Sequence, residues 1–172
     1  MYKILRQAYE QKKIISVYIN EEDPTRCNVG YVAALNEKEV AMYILDEDGG
    51  FEILSVHSIS QIFRVDADGE YENKLAQANK LTGNRPPIFT YEDGSIRKAV
   101  CKYAKQHDFP IWIAFKGNEE IGPWGDVIDV TDDMITITRI GDPKPGNVSY
   151  IIMRQVYYIA CEYKGRRNYD ID

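Results

Sequence analysis

Residues Val29–Val65 read VGYVAALNEKEVAMYILDEDGGFEILSVHSISQIFRV. This is the pattern of four short strands joined by tight turns, NEKE, DEDGG and the bend SIS. Residues Trp124–Ile159, WGDVIDVTDDMITITRIGDPKPGNVSYIIMRQVYYI, repeat it. Gly30 matches Gly125, Val32 matches Val127, Leu35 matches Val130, Val40 matches Ile135 and Met42 matches Ile137, all at an offset of 95. Past the next turn the offset is 94, pairing Ile59 with Met153, Gln61 with Gln155, Ile62 with Val156 and Val65 with Ile159. A one-residue length change between Met42 and Ile59 on one side and Ile137 and Met153 on the other, the interval that holds the turns DEDGG and GDPKPGN, accounts for the step. Upstream, Ile15, Val17 and Ile19 match Ile111, Ile113 and Phe115 at an offset of 96. The matched positions are mostly apolar and two apart, the period of a strand with one buried face. Matched glycines at matched strand spacings point to one small β-barrel unit used twice.

Working outward, residues 2–12 predict a short helix with Leu5, Ala8 and Tyr9 on one face, followed by a first strand, KIISVYI. Residues 70–82 predict a second helix, with Tyr71, Leu75, Ala78 and either Leu81 or Thr82 inward, stopped by Gly83 and by Pro86 and Pro87. Residues 88–94, IFTYEDG, predict a short extra strand and turn. Ser95 is a good N-cap for a third helix, whose stripe is Ile96, Ala99, Val100, Tyr103 and Ala104. The second unit then runs from Phe109 to about Tyr163, and the polar tail KGRRNYDID is expected to fray. The domain reading is therefore 1–69, a helical connector 70–94, and 95–172. The fold class is mainly β with α-helices, as two tandem five-stranded SH3-type barrels, each preceded by a helix.

A short helix followed by five strands, with a glycine opening the second strand, resembles the Sm-like fold, twice over. In RNA-binding members of that family an Asp and an Asn in the loop after strand two build a base pocket, and an Arg-Gly pair follows strand four. Here the first loops read Asn36-Glu37-Lys38-Glu39 and Thr131-Asp132-Asp133-Met134. The second turns read Ser58-Ile59-Ser60 and Met153-Arg154-Gln155. Only Arg154 carries over, without its glycine. The resemblance thus implies the fold and not the family's RNA site.

The chain has 172 residues and a net charge of −6, and both halves are negative, so bulk attraction to nucleic acid or anionic membrane is not expected. No apolar run approaches a membrane span, and MYKILRQAYEQKK is not a signal peptide. Tyrosine is plentiful at 13, against 5 Phe and 2 Trp, which suits half-buried strand surfaces. Cys27, Cys101 and Cys161 fit neither a disulfide framework nor a zinc pattern and suit a reduced, cytoplasmic setting. Cys101 and Cys161 read as small core hydrophobes, and His57 and His107 as structural or surface groups. The acidic residues Glu21, Glu22 and Asp23, matched by Glu119 and Glu120, read as solvated loop charge. Trp112, flanked by inward Ile111 and Ile113, should face out of its own unit and pack on a helix or the sister unit, with Tyr18 behaving likewise.

No nucleotide-binding or nucleophile motif occurs, and no catalytic residue, metal or cofactor is expected. The function expected is a non-enzymatic interaction or scaffold protein, with a protein partner or self-association through the open edges that small barrels leave at strands four and five. An alternative is nucleic-acid binding by the basic face of the third helix, Arg97, Lys98, Lys102 and Lys105, together with Arg154. A weaker one is an enzyme or small-ligand binder with a site between the units.

Overall fold

The computed structural model describes residues 1–83, 85–115, 122–141 and 147–163. Its helices are α1 (Tyr2–Gln11), α2 (Glu70–Thr82) and α3 (Ile96–Gln106). The strands of the first half are β1 (Ile14–Tyr18), β2 (Asn28–Leu35), β3 (Glu39–Leu45), β4 (Phe51–Ser58) and β5 (Arg64–Ala67). Those of the second are β6 (Ile111–Phe115), β7 (Trp124–Val130), β8 (Met134–Arg139), β9 (Val148–Ile152) and β10 (Val156–Glu162). All belong to one 10-stranded antiparallel sheet ordered β5-β1-β2-β3-β4-β10-β6-β7-β8-β9. Each half contributes its strands in the same order, and the halves meet where β4 pairs with β10.

The sequence offsets reappear in the ladders. Ile15 faces Gly30 and Ile111 faces Gly125, while Val17 faces Val65 and Ile113 faces Ile159. Both β2·β3 and β7·β8 slip register at equivalent points, between Val32 and Ala34 and between Val127 and Asp129. The bend before the last strand is a 3-10 turn in each half, Ile59–Gln61 and Met153–Gln155. It is anchored alike, by Ile59 N–H to the Lys38 carbonyl and Met153 N–H to the Asp133 carbonyl. The paired glycines have one cause. A Cβ on Gly30 would stand 1.8 Å from the Tyr43 carbonyl oxygen, and one on Gly125 2.1 Å from that of Thr138, so any side chain there would force the strands apart.

One apolar cluster gathers Leu5 and Ala8 of α1 with Ile15, Val17, Val32, Val40, Met42 and Ile44. A larger one gathers the α3 stripe with Ile111, Ile113, Ile135, Ile137 and Ile159, and reaches across the joint to Ala34, Ala41, Leu54 and Val56. The outward face of β4 is therefore covered by the second half's core. α3 is capped as its sequence predicts, Ser95 Oγ accepting from Lys98 N–H, and Gly83 ends α2 in the left-handed region.

Three expectations are corrected. α2 turns a different face inward: Glu72, Leu75 and Asn79 are buried, while Tyr71 and Leu81 are exposed. The reason is hydrogen bonding. Glu72 accepts from the buried Ser16 hydroxyl, and Asn79 donates to the Gly49 carbonyl at 2.7 Å while accepting from Tyr31 and Arg85. Residues 88–94 form no strand. Phe89 is held singly, its ring edge-on to Tyr103 and its N–H donating to the Tyr43 hydroxyl at 2.8 Å. Tyr18 packs on its own sheet neighbour β5, facing Phe63 with the Arg64 guanidinium 4.4 Å above its ring and its hydroxyl donating to Asp66. Glu119, Glu120 and the tail after Tyr163 lie outside the described residues.

Candidate interaction site

The basic face of α3 is less available than its sequence suggests. Arg97 donates to Glu39 at 2.6 Å and to the Ser58 hydroxyl at 2.8 Å. Glu39 is itself nearly buried at the start of β3 and also accepts the Ile96 N–H at 2.7 Å, so it places a carboxylate on the helix N-terminus. Lys98 pairs with Asp132 in the turn between β7 and β8. Both ion pairs tie α3 to strand ends and neutralise the cations that form them. Lys102, Lys105 and Arg154 remain exposed. Arg154 sits on the 3-10 turn that is anchored to Asp133, so its surroundings include the acidic Asp132-Asp133 pair. The structure therefore leaves a thin and partly neutralised basic surface.

Trp112 lies in a cleft of about 330 Å³ between the halves. It is half-buried, edge-on to Tyr158 at a centroid distance of 5.7 Å, and faces Asn20, Arg26 and Cys27 of the loop after β1. Trp112 thus faces out of its own strands towards the first half, as its alternation predicts, but the cleft leaves it partly accessible.

His57 is fully buried on β4 beside the joint. Its Nε2 is 3.1 Å from the Ser55 hydroxyl, and its ring lies 4.8 Å from that of Tyr158. Burial, reinforced by the Arg97 charge, holds its pKa down to about 3. His107 caps the C-terminus of α3 and stacks on Phe109. The thiols of Cys101 and Cys161 are buried, and burial pushes the Cys101 pKa up to about 12 and that of Cys161 upward too. A thiol held so far from ionisation is a packing group. Among the described residues no cluster of three His, Cys, Asp or Glu side chains is placed to hold a metal, and no helix is long and apolar enough to cross a membrane.

The sequence reading expects open edges at strands four and five of each unit, and of these the structure leaves β9, strand four of the second unit, at a margin of the sheet. Among the described residues it ends the sheet and pairs with β8 alone. Its outward side chains are apolar and unshielded: Val148 is 42%, Tyr150 70% and Ile152 48% exposed. Their alternation with Ser149 and the buried Ile151 was visible, but alternation does not say which strand ends a sheet. At the opposite end β5 offers its own free edge, flanked by exposed Phe63. No protein-family model matches this chain, and neither a curated protein nor a solved structure matches it.

Proposed function

We propose that this chain is a non-enzymatic interaction protein, built of two Sm-like small barrels side by side, that binds a partner by adding a strand at its free sheet edge β9. The observation that carries the reading is the combination at β9 of an unpaired backbone edge with a row of exposed apolar side chains. Unpaired edges with such side chains are templates for strand addition. The barrel reading is supported by reach. In the second half β9 and β10 lie at opposite margins of five strands, four spacings or about 19 Å apart if flat. Residues 153–155 alone join them, and a 3-10 turn at about 2 Å per residue spans about 8 Å over that interval. The strands must curl for the chain to connect.

The test uses amide exchange with a short alternating Val/Thr peptide, and separately a titration with uridine- and adenine-rich oligonucleotides at about 50 and about 200 mM salt. The peptide is expected to slow exchange in β9, and Ile152→Lys to abolish the effect. Oligonucleotide binding is expected to be weak, unselective for base and gone at the higher salt, because among the described residues Arg97 and Lys98 of the basic helix are already paired with carboxylates. Tight, base-selective binding lost on Arg154→Ala, with no peptide protection at β9, would replace this reading with nucleic-acid recognition.

A further inference from the structure

We propose that the partner of β9 is the β5 edge of a second copy of this chain, docked head to tail in the register of the internal β4·β10 joint. The inference rests on reading the two halves as one repeated unit, and it names the occupant of the edge. Inside the chain, β4 of one unit pairs with the last strand of the other, Val56 facing Ile159 and Leu54 facing Cys161. The same two edges are left over at the ends of the sheet, β9 being the counterpart of β4 and β5 the counterpart of β10.

Applying the 94-residue offset to the joint gives the contact residue by residue. Leu54 and Val56 correspond to Val148 and Tyr150, and Ile159 and Cys161 to Val65 and Ala67. Tyr150 would therefore face Val65 of the next copy, and Val148 would face Ala67. Continuing the register by two, Ile152 meets Phe63, which is exposed. Apolar side chains oppose apolar ones at each step, as cross-strand pairing requires. Arg64 and Asp66, which pair with each other over Tyr18, point to the other face and do not block the edge.

Two further details fit. Leu54 and Val56 point away from the first half, and are buried because the second half's core covers them. Val148 and Tyr150 hold the same positions with no such cover. At the joint, Gln61 Nε2 donates to the Tyr157 carbonyl at 3.2 Å. Its counterpart Gln155 is exposed, placed to donate to the carbonyl of Phe63 in the next copy. Such a contact uses different patches on the two copies, so it repeats until it closes into a ring or runs on as a filament.

The experiment is light scattering and sedimentation on the full chain over a concentration series. Wild type is expected to form multiples of the single chain, and Tyr150→Lys and Ala67→Lys, both at exposed positions, each to run as monomers. Mixing those two variants should restore a one-to-one dimer and nothing larger, because each retains one working edge. Gln155→Ala should weaken the assembly about fivefold. In a Cys27→Ser background, Val148→Cys mixed with Ala67→Cys should form an interchain disulfide, and Ser149→Cys with Ala67→Cys should not. A wild type that stays monomeric at its solubility limit overturns the inference, and so does an assembly that survives Ala67→Lys, which would mean β9 pairs with β9. If the Val/Thr peptide protects β9 while the chain stays monomeric, the interaction reading stands and the self-pairing inference alone falls.

Discussion

His57 shows how one residue couples the joint to pH. It is buried where β4 meets β10, and its folded-state pKa of about 3 lies below the ordinary 6.5. Above pH 6.5 both folded and unfolded chains hold it neutral, and its burial carries no proton-linked cost. Between pH 6.5 and 3 the unfolded chain takes up a proton that the folded chain refuses, so stability falls as pH falls, by up to about 1.4 kcal/mol per pH unit. Urea melts of wild type and His57→Leu across pH 7.5 to about 4.5 check this. The variant is expected to lose much of the slope below pH 6.5. An unchanged slope would mean that His57 charges readily in the folded protein.

Among the elements, α2 departs most from its sequence reading. Its inward face is chosen by Glu72 and Asn79, so polar positions on this helix hold it more firmly than most of its apolar ones. Asn79→Ala leaves the Gly49 carbonyl without its donor in a buried site, and the expected loss is about 2 kcal/mol. Leu81→Ser, on the exposed face, should stay within about 0.5 kcal/mol of wild type. Chemical denaturation of both variants tests the assignment, and the reverse ranking would restore the apolar face inferred from periodicity. α3 is the contrasting case. Its stripe is apolar and continuous, the burial pattern follows it, and only the availability of Arg97 and Lys98 was misjudged.

At the scale of the whole molecule, the halves share a continuous sheet and an apolar cluster, and they are expected to unfold as one cooperative unit. Leu54 belongs to a strand of the first half but lies in the core of the second. Leu54→Ala is expected to destabilise by about 3 kcal/mol, through lost burial and the cavity it leaves. It should lower a single melting transition without splitting it. Calorimetry reads this directly. Two resolved transitions, with the second half unaffected, would show that each half carries its own stability.

Much of this architecture was legible in the chain itself, because it is written in local terms. Strand alternation, the paired glycines that let neighbouring strands approach, the Ser95 cap and the Gly83 stop all act within a few residues or across one hairpin. The repeat then predicted that the two halves are built alike, and their strands follow one order in the sheet. Three things waited for the tertiary structure. Periodicity assigns a helix face by hydrophobicity, and α2 used hydrogen bonds instead. Charge on a helix says nothing of its partners, and Glu39 and Asp132, distant in sequence, neutralise two of the α3 cations. Above all, alternation is the same for a strand in the middle of a sheet and for one at its margin. Of the fourth and fifth strands expected to be open, only the pairing of β4 with β10 decided which lie at the sheet margins among the described residues, leaving β9 with its apolar side chains exposed at one end and β5 at the other.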